Sequence, residues 1–230
     1  MARPRIFRTV KLMLAKSGLP PSRLIGFLNG ILEFGRWLRT HKVPVVLDNT
    51  TELYTYLQKE VIGDAPVDYF EFGVWQGKSL RAWLDLNKHP ESRFYGFDSF
   101  EGLPEDWGHF AVILKKGTFS TGGEVPDIED QRLSLIKGYF QDTLVPSIKN
   151  YQPKNRLLVH CDADLYSSTL YPLTIMNQYI VPGTIILFDE FFTVDHEFRA
   201  FVDFTRVCNR RYRAIASSGP YDQMAIEITE

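Results

Sequence analysis

VDYFEFGVWQGKSLRAWLDLNKHPESRFYGFDS, residues 67–99, decides the fold. The run 67–72 is short, apolar and β-prone, the pattern of a buried strand. Gly73 and Gly77 break it, and 79–86 carries helical spacing. A second β-prone run, 93–97, ends in Asp98. A turn that opens a helix aims backbone N–H groups at a ligand. An acid at the next strand end is placed to take ribose hydroxyls. The stretch therefore offers a nucleoside site.

The remainder of the chain bounds what can surround that site. At 230 residues the sequence predicts one domain with an appendage, an N-terminal helical arm over 1–48 and a body over 49–230. Hydrophobic content of 44% and charged content of 23% suit a globular fold, and no apolar run approaches the roughly 18 residues of a membrane span. Cys161 and Cys208 make neither a framework nor a CxxC pair, which predicts reduced thiols in a cytoplasmic protein. The net charge of −2 hides an asymmetry: residues 1–42 hold nine Lys/Arg against Glu33 alone, so +8, and the remainder carries −10. A basic arm on an acidic body suits a membrane surface, an anionic substrate or another subunit's acidic face. Weak peripheral membrane contact and a homo-oligomer are thus expectations, with a merely solvated helix face as the bland alternative. The body has no basic patch and no RNA-binding aromatic signature, so nucleic acid is not an expected partner.

Outward from the opening stretch, 5–15 and 22–39 read as helices around Pro20-Pro21, and 52–61 as a helix capped by 49–51. Tyr54 and Tyr56 lie in that helix, as pocket lining or, more commonly, as aromatic packing. The polar segment 100–127 is long enough for a lid or binding loop, with Trp107 and Phe110 as candidate aromatics over a substrate. Residues 128–137 read as helical or mixed, and 138–144 as a strand end and turn with Asp142 capping a helix over 143–150. Strand 156–161 runs into Asp162-Ala163-Asp164, and strand 184–188 into Asp189-Glu190. Helices 167–179 and 196–208 follow these, and strands 212–217 and 224–229 close the chain. This alternation predicts an α/β fold with a mostly parallel sheet, helices on both faces and one antiparallel strand near an edge. Ligands bind outside the carboxyl ends of such strands. Acids on neighbouring strand ends repel one another unless protonated or bound to a cation. Oxygen donors of this kind suit Mg²⁺.

Three chemistries compete for these motifs. GVWQGKS has the look of a Walker A loop, but its glycines enclose one residue too few to wrap a phosphate. Asp162-Ala163-Asp164 is a D-x-D pattern, as in metal-dependent nucleotide-sugar enzymes, yet that reading leaves the glycine turn and Asp98 without a task. The third reading rests on order. EFGVWQGKS, GFDSFEGLP, GYFQDTL, DADLYSST, PGTIILFDEF and DHEFRAF, in that succession over residues 50–229, resemble the macrocin O-methyltransferase (TylF-like) family. That family methylates sugar hydroxyls with S-adenosylmethionine. Catechol-type O-methyltransferases are a more distant likeness.

The resemblance implies a Rossmann-like S-adenosylmethionine-dependent methyltransferase fold with a seven-stranded sheet. Glu71, Gly73, Val74, Trp75, Gly77 and Ser79 match the segment that holds the cofactor's methionine moiety. Asp98 matches the ribose acid, flanked by Ser99 and Phe100, and Tyr139, Phe140 and Gln141 match the adenine segment. Asp162 also borders the cofactor, and Asp162, Asp189 and Glu190 match the metal triad, with Asp-Glu here where the family often has two aspartates. The implied reaction deprotonates an acceptor hydroxyl on a sugar, a glycan or another small molecule at Mg²⁺. Asp162 is then the first candidate base and Asp164 the second. His196, opening the helix after the acidic pair, is a further candidate base or substrate contact. His160, inside a strand, reads as a packed core residue, and Glu197 as a first-turn helix acid. Cofactor binding without turnover is the reading from a different class, and the acids argue against it.

Overall fold

A computed structural model of the chain describes Lys16, residues 23–109 and residues 112–230. The helix expected over 5–15 and the lid aromatic Phe110 lie outside the described residues. Helix α1 spans Arg23–Thr40 and leads to a two-residue strand, β1 (Val46–Leu47). Helix α2 (Thr50–Tyr56) continues as a π-helical turn over Leu57–Ile62. Asn49 caps α2 by accepting from the Glu52 N–H at 3.0 Å, and its amide donates back to the Glu52 carboxylate. Next come β2 (Val67–Phe72), α3 (Lys78–Leu86) and β3 (Arg93–Asp98). The long polar segment folds into a small hairpin, β4 (Trp107–His109) and β5 (Val112–Leu114). Then follow β6 (Leu133–Lys137), α4 (Phe140–Ile148), β7 (Arg156–Cys161), α5 (Tyr166–Met176), β8 (Ile185–Phe188), α6 (Glu197–Val207), β9 (Tyr212–Ser218) and β10 (Gln223–Ile228).

Eight strands form one sheet in the order β6-β3-β2-β7-β8-β10-β9-β1. All neighbours pair parallel except β10, which runs antiparallel between β8 and β9. The eighth strand beyond the expected seven is β1, paired to β9 through two residues, too short to leave a periodic signal. Successive side chains point to opposite faces. Val67, Tyr69, Ile185 and Leu187 pack with Leu53, Leu57, Trp83 and Leu84 of α2, its π turn and α3. Phe70, Phe72, Ile186 and Phe188 pack with residues of α4, α5, α6 and α1 on the other face. Apolar residues on both faces are why these strands read as unbroken hydrophobic runs. The arm belongs to this packing: Phe34 and Trp37 of α1 are buried, Phe34 meets Phe198 edge-on at 5.0 Å, and the Trp37 indole N–H donates to Tyr212 Oη at 3.0 Å.

Two local readings need correction. Residues 133–137 form a parallel edge strand beside β3, not a helical stretch, because Leu133 and Leu135 alternate toward one face. Helix α4 begins at Phe140, so Asp142 sits in its first turn rather than capping it, and extended Tyr139 occupies the cap position.

Candidate functional site

Register brings the chemistry into one row. Phe72 is level with Phe97 and with Cys161, and Cys161 is level with Phe188. The residues one step further are therefore neighbours: Gly73, Asp98, Asp162 and Asp189. The ladder continues through them, with Gly73 N–H donating to Phe97 O at 3.0 Å, Asp162 N–H to Phe72 O at 2.9 Å and Asp189 N–H to Cys161 O at 3.0 Å. Gly73 has φ +96, and a Cβ there would lie 1.7 Å from the Asp162 carbonyl oxygen. Only glycine permits this approach of two strand ends.

A cavity of about 620 Å³ opens above the row. Of the sequence-predicted residues, Gly73, Val74, Trp75, Ser79, Asp98, Ser99, Tyr139, Phe140, Gln141, Asp162, Asp164, Asp189 and Glu190 line it. Four do not. Gly77 turns the chain into α3 at φ +76, Phe100 is fully buried at φ +60, and Glu71 lies under the floor. His196 stands to the side, with its ring stacked on Trp107 at 5.7 Å, the Gly108 N–H donating to its Nε2 at 3.2 Å and the Tyr166 N–H 3.3 Å from its Nδ1. Its position braces the β4–β5 hairpin. Trp107 reaches further and donates to the Asp164 carbonyl at 3.2 Å.

The glycine turn does not offer its first N–H groups to a ligand. Asp98 takes them: its Oδ2 accepts from Val74 N–H at 2.8 Å and Trp75 N–H at 2.7 Å, and its Oδ1 from Phe100 N–H at 2.7 Å. Gly73 N–H goes to Phe97 O and Gly77 N–H to Val74 O, so four N–H groups of this turn are engaged within the protein, which adds to the spacing argument against a Walker A loop. Asp98 thus holds the loop and is also among the residues that line the cavity.

Glu71 anchors a buried network. Ser79 Oγ donates to its Oε1 at 2.8 Å, the Tyr69 hydroxyl donates to its Oε2, and His160 Nδ1 lies 2.8 Å from that hydroxyl. His160 Nε2 is buried without a hydrogen-bond partner. Among the described residues, the ligand atoms within 4.8 Å of one another are those of Glu71, His160 and Asp162. Asp162 belongs to both that cluster and the cavity wall, whereas Asp189 and Glu190 line the wall outside the cluster.

The acids of the wall raise one another's proton affinity. Burial first, and then the Asp189 charge, push Asp162 well above the usual carboxylate range. Burial, Asp189 and Asp98 push Asp164 up to about 7, and burial, Asp164 and Asp189 do the same to Glu190. Asp164 also has φ +60, a conformation a non-glycine residue keeps only when its surroundings enforce it. No Lys or Arg among the described residues forms an ion pair with these acids, although Lys78 lines the same cavity. Glu190 Oε2 and Glu197 Oε1 are buried without hydrogen-bond partners. Such a set of unsatisfied hard oxygens fits a divalent cation.

Sequence reasoning missed Gln223 and the role of Glu197, and left Tyr54 open between pocket lining and packing. Gln223 on β10 donates from its amide to Asp189 Oδ1 and accepts from Ser218 Oγ at 2.9 Å, which fixes its orientation. Tyr54 lines the cavity, where burial and the charges of Asp189 and Asp162 raise its hydroxyl pKa. Glu197 is fully buried, and its Oε2 accepts from the Glu190 N–H at 2.8 Å, so it fixes the backbone at Glu190 rather than merely opening a helix. A lone amide on a strand has no spacing signature; Glu197 was readable only through its closeness to Asp189-Glu190.

The family model for macrocin-O-methyltransferase (TylF) matches residues 47–213. An 8-demethyl-8-(2,3-dimethoxy-alpha-L-rhamnosyl)-tetracenomycin-C 4′-O-methyltransferase of Streptomyces olivaceus is 30% identical over 159 residues, 59% of this chain and 58% of that one. A demethyldecarbamoylnovobiocin O-methyltransferase of Streptomyces niveus is 26% identical over 152 residues, 58% of this chain and 56% of that one. The match thus spans less than two thirds of either relative. In structure, the calicheamicin methyltransferase CalS11 superposes with a TM-score of 0.59 at 20% identity, covering 99% of this chain and 94% of that one. The O-methyltransferase NovP gives 0.56 at 21% identity, covering 78% and 79%. These likenesses show the methyltransferase fold.

Proposed function

The chain belongs to the macrocin-O-methyltransferase (TylF) family, and from that premise we propose that it is an S-adenosylmethionine-dependent, Mg²⁺-assisted O-methyltransferase acting on a hydroxyl of a sugar or glycoside in the cytoplasm. The observation that carries the reading is the row Gly73, Asp98, Asp162, Asp189 under a cavity of about 620 Å³, a size suited to a cofactor and part of an acceptor. When bound, S-adenosylmethionine supplies the methyl group and Mg²⁺ polarises the acceptor oxygen, lowering its pKa. Asp162, Asp189 and Glu190 would hold the cation, with Gln223 orienting the Asp189 carboxylate and Glu197 fixing the backbone at Glu190. Gly73, Val74, Trp75 and Ser79 would border the cofactor's methionine end. Glu71 acts through the Ser79 hydroxyl, since both its oxygens are engaged below the floor. Asp98 and Ser99 would face the ribose, and Tyr139, Phe140 and Gln141 the base. Asp162 takes the acceptor proton on a carboxylate oxygen, with Asp164 next in line. A carboxylate whose proton affinity is raised by burial and then by neighbouring acids is a stronger base than an exposed one. The walls hold the two reactants in line, and that positioning supplies much of the rate.

Calorimetry with S-adenosylmethionine and with its demethylated product tests the reading, and lack of affinity for both overturns it. Mass spectrometry of a glycoside panel identifies the acceptor class. For the metal, Asp189→Ala should keep cofactor affinity and lose turnover; activity that survives both that change and EDTA removes Mg²⁺ from the mechanism.

A further inference from the structure

Helix α1 has two apolar faces, and only one is buried against the described residues of the body. Phe34 and Trp37 are buried in the body. Leu24 (48% exposed), Leu28 (51%), Ile31 (38%) and Leu32 (71%) face outward. Their spacing, i, i+4, i+7, i+8, makes one continuous stripe. Arg36 and Arg39 lie four and seven residues beyond Leu32, extend the same side of the helix, and are exposed, as is Lys42. The acid of this segment, Glu33, is ion-paired to Arg206 at 3.1 Å, which leaves the helix surface cationic.

From this we propose that α1 seats the protein on an anionic membrane surface. An apolar stripe edged by Arg and Lys is the pattern of a helix lying in the interface. Its leucines enter the acyl boundary while its cations meet lipid phosphates. Charge selects this occupant over a second copy of the chain. Two stripes meeting face to face would bring together two helical segments that each carry Arg23, Arg36, Arg39 and Lys42 against Glu33 alone, whereas an anionic leaflet carries the opposite sign. The body at −10 is repelled by the same surface, so the molecule lands arm first. No helix among the described residues is long and apolar enough to cross a membrane, so the contact is peripheral. The inference stands apart from methyl transfer and does not depend on it.

Co-sedimentation of the full chain with vesicles tests it. Phosphatidylcholine vesicles with about 25% phosphatidylglycerol should bind the protein, and pure phosphatidylcholine should bind it roughly tenfold more weakly. Binding should be lost at roughly 0.5 M salt. Leu28→Asp with Leu32→Asp changes two exposed positions, so the melting temperature should hold while partitioning falls roughly tenfold or more. Arg36→Glu with Arg39→Glu should do the same. Absence of binding to the anionic vesicles, or binding indifferent to both double substitutions, overturns the proposal. So does light scattering without lipid in which the leucine variant lowers the molar mass of an oligomer, since the stripe is then a subunit interface.

Discussion

Asp68 and Glu71 lie three residues apart on the same strand, both fully buried, in opposite electrostatic surroundings. Asp68, at the amino end of β2, accepts from Arg93 Nε at 2.8 Å, Tyr151 Oη at 2.8 Å, Lys154 N–H at 3.0 Å and the Asn155 amide at 3.0 Å. Glu71, near the carboxyl end, accepts from two hydroxyls, has a histidine nitrogen at 3.5 Å, and looks toward Asp162 and further acids. A buried acid that serves only the fold is matched with a cation and a full set of donors. Acids gathered without a cation destabilise, and a protein keeps such strain where a site needs it. The two ends of one sheet thus separate structure from function without reference to any relative.

The largest break in that contrast is Gly73→Ala. The added carbon overlaps the Asp162 carbonyl, and φ +96 is unsuited to a side chain, so the row should come apart at a cost of about 4 kcal/mol or more. Gly63→Ala is the control: φ is +66 but nothing lies within 4 Å, and about 1 kcal/mol is expected. Equal melting temperatures for the two variants would show that the close approach is not what the row depends on.

Asp162→Asn is expected next in size. The rate should fall about 10³-fold, in the range for a general base, while the melting temperature stays level or rises because the amide is neutral where burial and the neighbouring acids disfavour a charge. A variant that is both inactive and markedly less stable would assign Asp162 to the fold instead. At the other end Asp68→Asn should cost about 3 kcal/mol, since it strips Arg93 of its partner, and should leave cofactor affinity untouched. Calorimetry that finds the affinity lost would mean the two ends are coupled.

Much of this was legible before any coordinates. Strands β2, β3, β7 and β8 announce themselves because each is an apolar run cut short by a glycine or an acid, and those interruptions are the site. β6 was not legible, since an edge strand of five residues with a half-exposed pattern imitates a helix fragment. The roles inside the site were less readable than its members. Nothing in the spacing of Asp98 says that it spends its oxygens on Val74, Trp75 and Phe100, because that depends on how tightly the Gly73 turn folds back. Gln223 reaches Asp189 only through the antiparallel register of β10 on β8, a pairing set by the whole sheet.

The smallest expected effect is in acid, and it concerns Asp68 alone. Burial pushes its carboxyl up, but hydrogen bonds from Arg93, the Lys154 N–H and Tyr151 outweigh this and hold it below the ordinary value. A group whose folded pKa is depressed stabilises the fold above its unfolded pKa and loses that contribution as pH falls through the folded value. The wild-type melting temperature should therefore drop more steeply than that of Asp68→Asn below about pH 4, where an unfolded aspartate begins to bind its proton. Above that pH the difference between the two proteins should be constant. Parallel curves through the acid range would mean that Asp68 keeps its proton affinity on folding, and that Arg93 and its fellow donors place the carboxylate without favouring its charge.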